Sequence, residues 1–257
     1  MSIWHKVKTQ IQPLVLRGDL IRVVESQEQI ATSQLVDNLE EQIQLEELLE
    51  QSKPRYPKHV TGRVDELTAT LHYLLSTPFR YPPLIHGARF CSRFEASLFY
   101  ASKELTTAFS ETAFYRFYFW RGMKTPPPSK KYITEHTVFS AGYYSTRGLQ
   151  LQNPPFSEFK SKLTHPSQYQ ATQALGNNMR VNEIDVFEYV SARDKNGGIN
   201  IALFSPKVFV NKKPKEQQQW LCETTAEQVS FSSKEGKLLR YSINDFLIEG
   251  EFPLPAA

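Results

Sequence analysis

The sequence predicts a single α+β domain, a mixed β-sheet core with flanking helices. Three observations carry this. The 257 residues suit one large domain, and 40% hydrophobic and 12% aromatic content is ample for a core. An amphipathic helix is written into the first half. The second half carries short apolar runs separated by tight turns, the pattern of antiparallel strands.

Taken in order, Arg17-Gly18-Asp19 reads as a turn, followed by a strand over Leu20–Val24. Ser33–Gln51 is the clearest helix: Leu35, Leu39 and Ile43 fall on one stripe, with glutamates and glutamines opposite. Lys53-Pro54 ends it, because a residue before proline resists the helical region. Glu40, Glu41, Glu46, Glu47 and Glu50 are its solvated face. A second helix is expected over Asp65–Leu75, closed by Thr77-Pro78. Leu84–Phe90 and Ser97–Ala101 read as strands flanking a loop, and Ser102 as the N-cap of a helix reaching about Thr112. The aromatic run Phe114–Trp120 has strand composition and reads as a buried strand.

Pro126-Pro127-Pro128 marks an exposed loop. Ser167–Met179 reads as a helix ended near Asn177-Asn178, Ile184–Val190 as a strand, Asp194–Gly198 as a turn and Ile199–Phe204 as another strand. Gln219–Leu247 reads as a β-meander with its turn at Lys234-Glu235-Gly236. There are no internal repeats.

Thirty Lys and Arg against 27 Asp and Glu leave a charge of +3, too small for a protein devoted to coating nucleic acid. Two cysteines, Cys91 and Cys222, make no disulfide framework. The N-terminus lacks a secretory apolar core and no 18-residue apolar run exists, so the expectation is a cytoplasmic protein without membrane association. The six histidines share no i,i+4 spacing and there is no CxxC, so no metal site is expected. Walker, GxGxxG and GxSxG signatures are missing as well.

The stretch Gly87–Phe119 narrows the reading. It contains Gly87-Ala88-Arg89-Phe90, then Leu98-Phe99-Tyr100-Ala101, then Ala108-Phe109-Ser110-Glu111, with Arg89, Tyr100 and Glu111 evenly spaced. Further on come Tyr189–Arg193 and Gly197–Phe204. In this order the segments resemble the RES-domain family, whose core runs Gly-x-Arg-Phe/Trp, Tyr-x-Ala, Ala-x-x-Glu and a later serine segment. Arg22–Ser26, Phe79–Leu84 and the Trp220 region resemble its longer members, so the likeness spans about Leu20 to Leu221. The chain departs from the pattern at Cys91-Ser92-Arg93, where an Asn or Asp is usual.

The resemblance implies an ADP-ribosyltransferase-like fold, with residues 1–60 as an N-terminal strand and helical region integrated into the domain and 61–257 as a catalytic core with a C-terminal meander. It also implies a toxin that degrades NAD as substrate, without a cofactor, and an Xre-type antitoxin as partner, nucleic acid being reached only through the antitoxin. Breaking the nicotinamide–ribose bond builds an oxocarbenium-like transition state, while the pyridinium leaves without needing a proton. The site must therefore place negative charge beside the ribose and grip the pyrophosphate. Glu111 takes the first role by that resemblance. Arg89 takes the second as a guanidinium fork matched to phosphate oxygens, with Arg22 and Arg80 as further clamps. Tyr100 packs on the nicotinamide, and Ser191 donates to a ribose or phosphate. Transfer of ADP-ribose to a protein or nucleic acid is the alternative activity, and a non-catalytic binding module the alternative class.

Overall fold

A computed structural model describes residues 2–26 and 70–255, and between them only positions 40, 41, 44, 45 and 48. The helix expected over 33–51 therefore lies outside the described residues, apart from those five positions, which are helical. Residues 65–69 of the second expected helix lie outside them too.

In chain order the elements are α1 (Ile3–Val7), β1 (Leu14–Glu25), α2 (Tyr73–Arg80), β2 (Phe99–Ser102), α3 (Leu105–Gly122) and β3 (Tyr132–Gln150). They continue with α4 (Lys160–Leu163), α5 (Gln170–Val181), β4 (Val186–Val190), β5 (Ile199–Leu203), β6 (Glu216–Thr224), β7 (Gln228–Ser233) and β8 (Leu238–Ser242). The strands form one eight-stranded mixed sheet, ordered β1-β2-β5-β4-β3-β6-β7-β8, and β1 also pairs with β3. The α+β class is thus as expected.

β3 organises the sheet. It runs 19 residues, pairs antiparallel with β1 and β6, and meets β4 in parallel at Gly148–Gln150. The pairings β1–β2, β2–β5, β5–β4, β4–β3 and β3–β1 close into a ring. Leu20, Phe99, Phe139, Ile201 and Leu203 pack together from its strands, joined by Leu75 and Phe79 of α2. A second core lies against α5 and β4. A third sits between α3 and the β6–β7 arm. Beyond the ring, β6, β7 and β8 form the expected meander, and its turn carries Gly236 at φ 83°. The strand Ile199–Leu203 and the Pro126–Pro128 loop also match expectation.

Several local readings are overturned, each by a tertiary contact. No turn interrupts 17–19: β1 runs straight through Gly18, which lies opposite Tyr143 in the register with β3. Pairing along a long neighbour outweighs the local turn signal. Proline does not close α2, which contains Pro78 and continues to Arg80 because Leu74, Leu75 and Phe79 stay buried on one face. Leu84–Phe90 is not a strand but a turn, bent at Gly87 (φ 77°). Ser102 ends β2 rather than capping a helix: its hydroxyl donates to Asn200 Oδ1, and Glu104 occupies the cap. The helix beginning at Gln170 passes Asn177-Asn178 to reach Val181.

The largest revision concerns Phe114–Trp120, which is helical and completes α3. Phe109, Ala113, Phe117 and Trp120 recur once per turn and are buried. Phe109 meets Trp220 and Phe231, while Phe114 stacks on Phe252. Aromatic composition favours strands only weakly, and burial of this stripe against two strands and the C-terminal segment decides the helix.

Candidate functional site

Strands β1, β2 and β5, helices α2 and α3 and the Gly87 turn wall a cavity of about 610 Å³. Arg22 comes from β1, Tyr100 and Ser102 from β2, Glu111 from α3, Arg89 from the Gly87 turn and Asn200 from β5. Ser102 and Asn200 are direct cross-strand partners, and Asn200 also faces Tyr189 of β4. Opposed residues of an antiparallel pair project to the same face, which delivers these groups together. α3 starts three residues after β2 ends and brings Glu111 back over Asn200.

Glu111 is held by one oxygen. Its Oε1 accepts from Ser191 Oγ at 2.6 Å and from Asn200 Nδ2 at 2.6 Å. The geometry leaves little freedom in that assignment. Ser191 Oγ already accepts from the backbone N–H of Arg193 (3.1 Å) and Asp194 (3.0 Å), so its single proton goes to Glu111. Asn200 Oδ1 accepts from Ser102 at 2.7 Å, which turns its amide N–H₂ toward the carboxylate. Both donors are neutral, and Glu111 makes no ion pair among the described residues. Its negative charge is oriented rather than cancelled.

The segment carrying Ser191 is stitched to the same helix. Ser110 Oγ donates to the carbonyl of Arg193 at 2.6 Å, and Thr107 Oγ1 donates to Asp194 Oδ2 at 2.7 Å. Gly198 packs against that second bond: a Cβ there would stand 2.0 Å from Thr107 Oγ1 and 2.5 Å from Asp194 Oδ2.

Arg89 and Tyr100 are fixed by a different device. Gln173 of α5 donates to the carbonyls of His86 (3.2 Å) and Ala88 (3.1 Å), pinning the turn on both sides of Gly87. α5 can approach because position 176 is glycine; a Cβ there would lie 1.9 Å from the Phe90 carbonyl oxygen. The turn presents the Phe90 N–H to the Tyr100 hydroxyl at 3.2 Å. Burial raises the Tyr100 pKa well above that of a free phenol, so it stays protonated. Arg89 Nη1 donates to the carbonyls of His165 (2.7 Å) and Leu163 (3.3 Å), and its guanidinium lies 4.6 Å over the Tyr169 ring.

Of the six residues singled out by sequence, Arg22, Arg89, Tyr100 and Glu111 line this cavity. Arg22 donates from Nη1 to the Tyr100 carbonyl and sits 4.9 Å over the Phe99 ring. Its Nε is buried without a hydrogen-bond partner among the described residues. Burial lowers its pKa to about 10, which leaves it a cation at neutral pH. Arg80, in the last turn of α2, is not among the cavity-lining residues. Ser191 is buried behind Glu111, its proton committed to the carboxylate and not to the cavity. Asn200 and Ser102 were not singled out. The signal for Asn200 was present: a lone amide inside the apolar run Ile-Asn-Ile-Ala-Leu is a polar group that must find a partner.

A family model described as RES domain matches residues 63–224. The match takes in Arg89, Tyr100, Glu111, Ser191 and Asn200, and leaves out Arg22 and the β7–β8 hairpin. No curated protein matches the chain.

Proposed function

The chain belongs to the RES-domain family, and on that premise we propose that it cleaves the bond between nicotinamide and ribose in NAD. The observation that carries this reading is the Glu111 carboxylate, oriented by Ser191 and Asn200 on the wall of a cavity that Arg22 and Arg89 also line. The bond to be broken already carries a cationic leaving group. Its electron pair goes to the nicotinamide nitrogen, which leaves neutral. The ribose keeps the positive charge, shared between its anomeric carbon and ring oxygen.

A fixed carboxylate beside that carbon stabilises the charge as it develops, and its two hydrogen bonds hold it in place before the reaction starts. Arg89 and Arg22 supply positive charge for the pyrophosphate, and Tyr100 gives the nicotinamide a flat wall. Water then adds to the anomeric carbon and loses a proton, giving ADP-ribose. If phosphate adds instead, the product is ADP-ribose phosphorylated at that anomeric carbon.

The direct test incubates the purified chain with NAD and follows free nicotinamide by chromatography, with and without phosphate. Release above the blank is expected; a folded protein that releases none overturns the reading. Release without ADP-ribose or its phosphate, together with label on an added macromolecule, would assign ADP-ribosyl transfer. An enzyme that drains NAD needs restraint, and by family resemblance that falls to an Xre-type antitoxin over the rim at Arg89 and Tyr100. Co-expression then rescues growth, and the purified complex leaves NAD intact. A complex with full turnover would exclude that mode of inhibition.

A further inference from the structure

The cavity wall mixes polar and aromatic groups. Glu111, Asn200 and Ser102 line it with the rings of Tyr100, Tyr115 and Tyr189. Arg22 lies along β1, its guanidinium on the Tyr100 carbonyl. Its guanidinium lies 4.9 Å over the Phe99 ring, against which Phe79 of α2 also packs, so α2 stands next to it; α2 and the chain just after it add Tyr73, Pro78, Tyr81, Pro82 and Leu84 to the lining. Three of these are large and open to solvent: Tyr73 is 46% exposed, Tyr81 41% and Leu84 61%. Apolar surface of this kind, continuous with a cavity and rimmed by polar groups, marks a binding face.

We infer that this tyrosine–proline shelf is a subsite for a neutral purine base, the adenine end of the dinucleotide, with Tyr81 as its principal stacking surface. The inference rests on the NAD reading and adds to it the residues that distinguish a dinucleotide from a mononucleotide. The chemistry matches part for part. A cationic nicotinamide riboside faces the carboxylate end and the phosphates face Arg22 and Arg89. What remains of NAD is adenosine, whose flat uncharged base gains most from aromatic and proline faces and nothing from added charge. Stacking on a tyrosine is insensitive to the base's hydrogen-bonding edge, so the shelf favours a purine without requiring one contact pattern.

Two measurements separate this inference from the cleavage reading. The first is binding of AMP, which carries the base and a phosphate but no bond to cleave. The unaltered chain should bind AMP, Tyr81→Ala should weaken it about tenfold, and Tyr81→Phe should keep it, because the ring and not the hydroxyl is what stacks. The second uses turnover: Tyr81→Ala should raise KM for NAD about tenfold relative to KM for nicotinamide mononucleotide, which lacks the adenosine half. Tyr73→Ala should move both measurements in the same direction. If the unaltered chain does not bind AMP, or binds it as well with Ala at position 81, the subsite is overturned whatever happens to NAD. If AMP binding follows the expected order while NAD stays uncleaved, the subsite stands and the cleavage reading falls.

Discussion

Glu111 shows how a single side chain is prepared by its neighbours. Two neutral donors fix Oε1, and each donor is fixed in turn, Ser191 by the Arg193 and Asp194 amides and Asn200 by the Ser102 hydroxyl. Replacing Glu111 by Ala should lower NAD turnover by about 10²- to 10³-fold with folding intact, the loss typical for one preorganised electrostatic group. Nicotinamide release and a circular dichroism melt check the two halves of that statement. Ser191→Ala should cost less, about 10- to 100-fold in kcat, because it removes one hydrogen bond to a charged acceptor and leaves Asn200 in place. The KM for NAD should change little, which separates a residue that positions Glu111 from one that touches substrate. Arg89 carries the opposite expectation. Arg89→Lys should raise KM, since an ammonium cannot bridge two carbonyl oxygens and still offer a fork to phosphate.

At the scale of elements, the site depends on the close approach of α5 to the Gly87 turn. α5 reaches the Gly87 turn only because position 176 lacks a side chain. Gly176→Ala places a carbon 1.9 Å from a backbone oxygen, so the helix or the turn must move. A loss of about 1–3 kcal/mol by urea denaturation is expected, as for other overpacked positions. Raised KM should accompany it, because the displaced turn carries Arg89. Gly122, at the last position of α3, has nothing within 4 Å of its would-be Cβ. Gly122→Ala should be neutral or stabilise by up to about 1 kcal/mol through helix propensity alone. Two glycine-to-alanine changes in helices thus have opposite signs, decided by what each faces.

Across the whole molecule, the third core ties α3 to the β6–β7 arm and contains a titratable group. His136 of β3 is 2% exposed, its Nε2 3.0 Å from Thr134 Oγ1 and its Nδ1 without a hydrogen-bond partner among the described residues. Burial, helped by the nearby Arg116 cation, lowers its pKa from 6.5 to about 4. A histidine that resists protonation when folded contributes stability above pH 6.5. That contribution is lost as pH falls toward 4, because the unfolded chain takes up the proton first. The loss is on the order of 3 kcal/mol. Urea midpoints measured between pH 4 and 7 should fall less steeply for His136→Gln than for the unaltered chain. Equal slopes would show that His136 is protonated without cost.

The order Arg89, Tyr100, Glu111, the turn at Gly236, the strand at Ile199–Leu203 and the α+β class were legible in the sequence, because each depends on local spacing or on residues with restricted backbone geometry. The helical state of Phe114–Trp120 and the straight passage of β1 through Gly18 were not, since both are decided by partners far away in the chain. β3 left no comparable signal: its ends pair with β6 and β4, and its burial follows those neighbours rather than a simple alternation. The same limit applied at the site. Sequence named three arginines and a serine as substrate contacts. Strand register brought Arg22 to the cavity, a turn pinned by α5 brought Arg89, and packing left Arg80 off its wall and turned Ser191 toward Glu111. A residue's type can be read from the chain, but the direction it points is set by pairing and packing, where a one-residue change of register reverses the face.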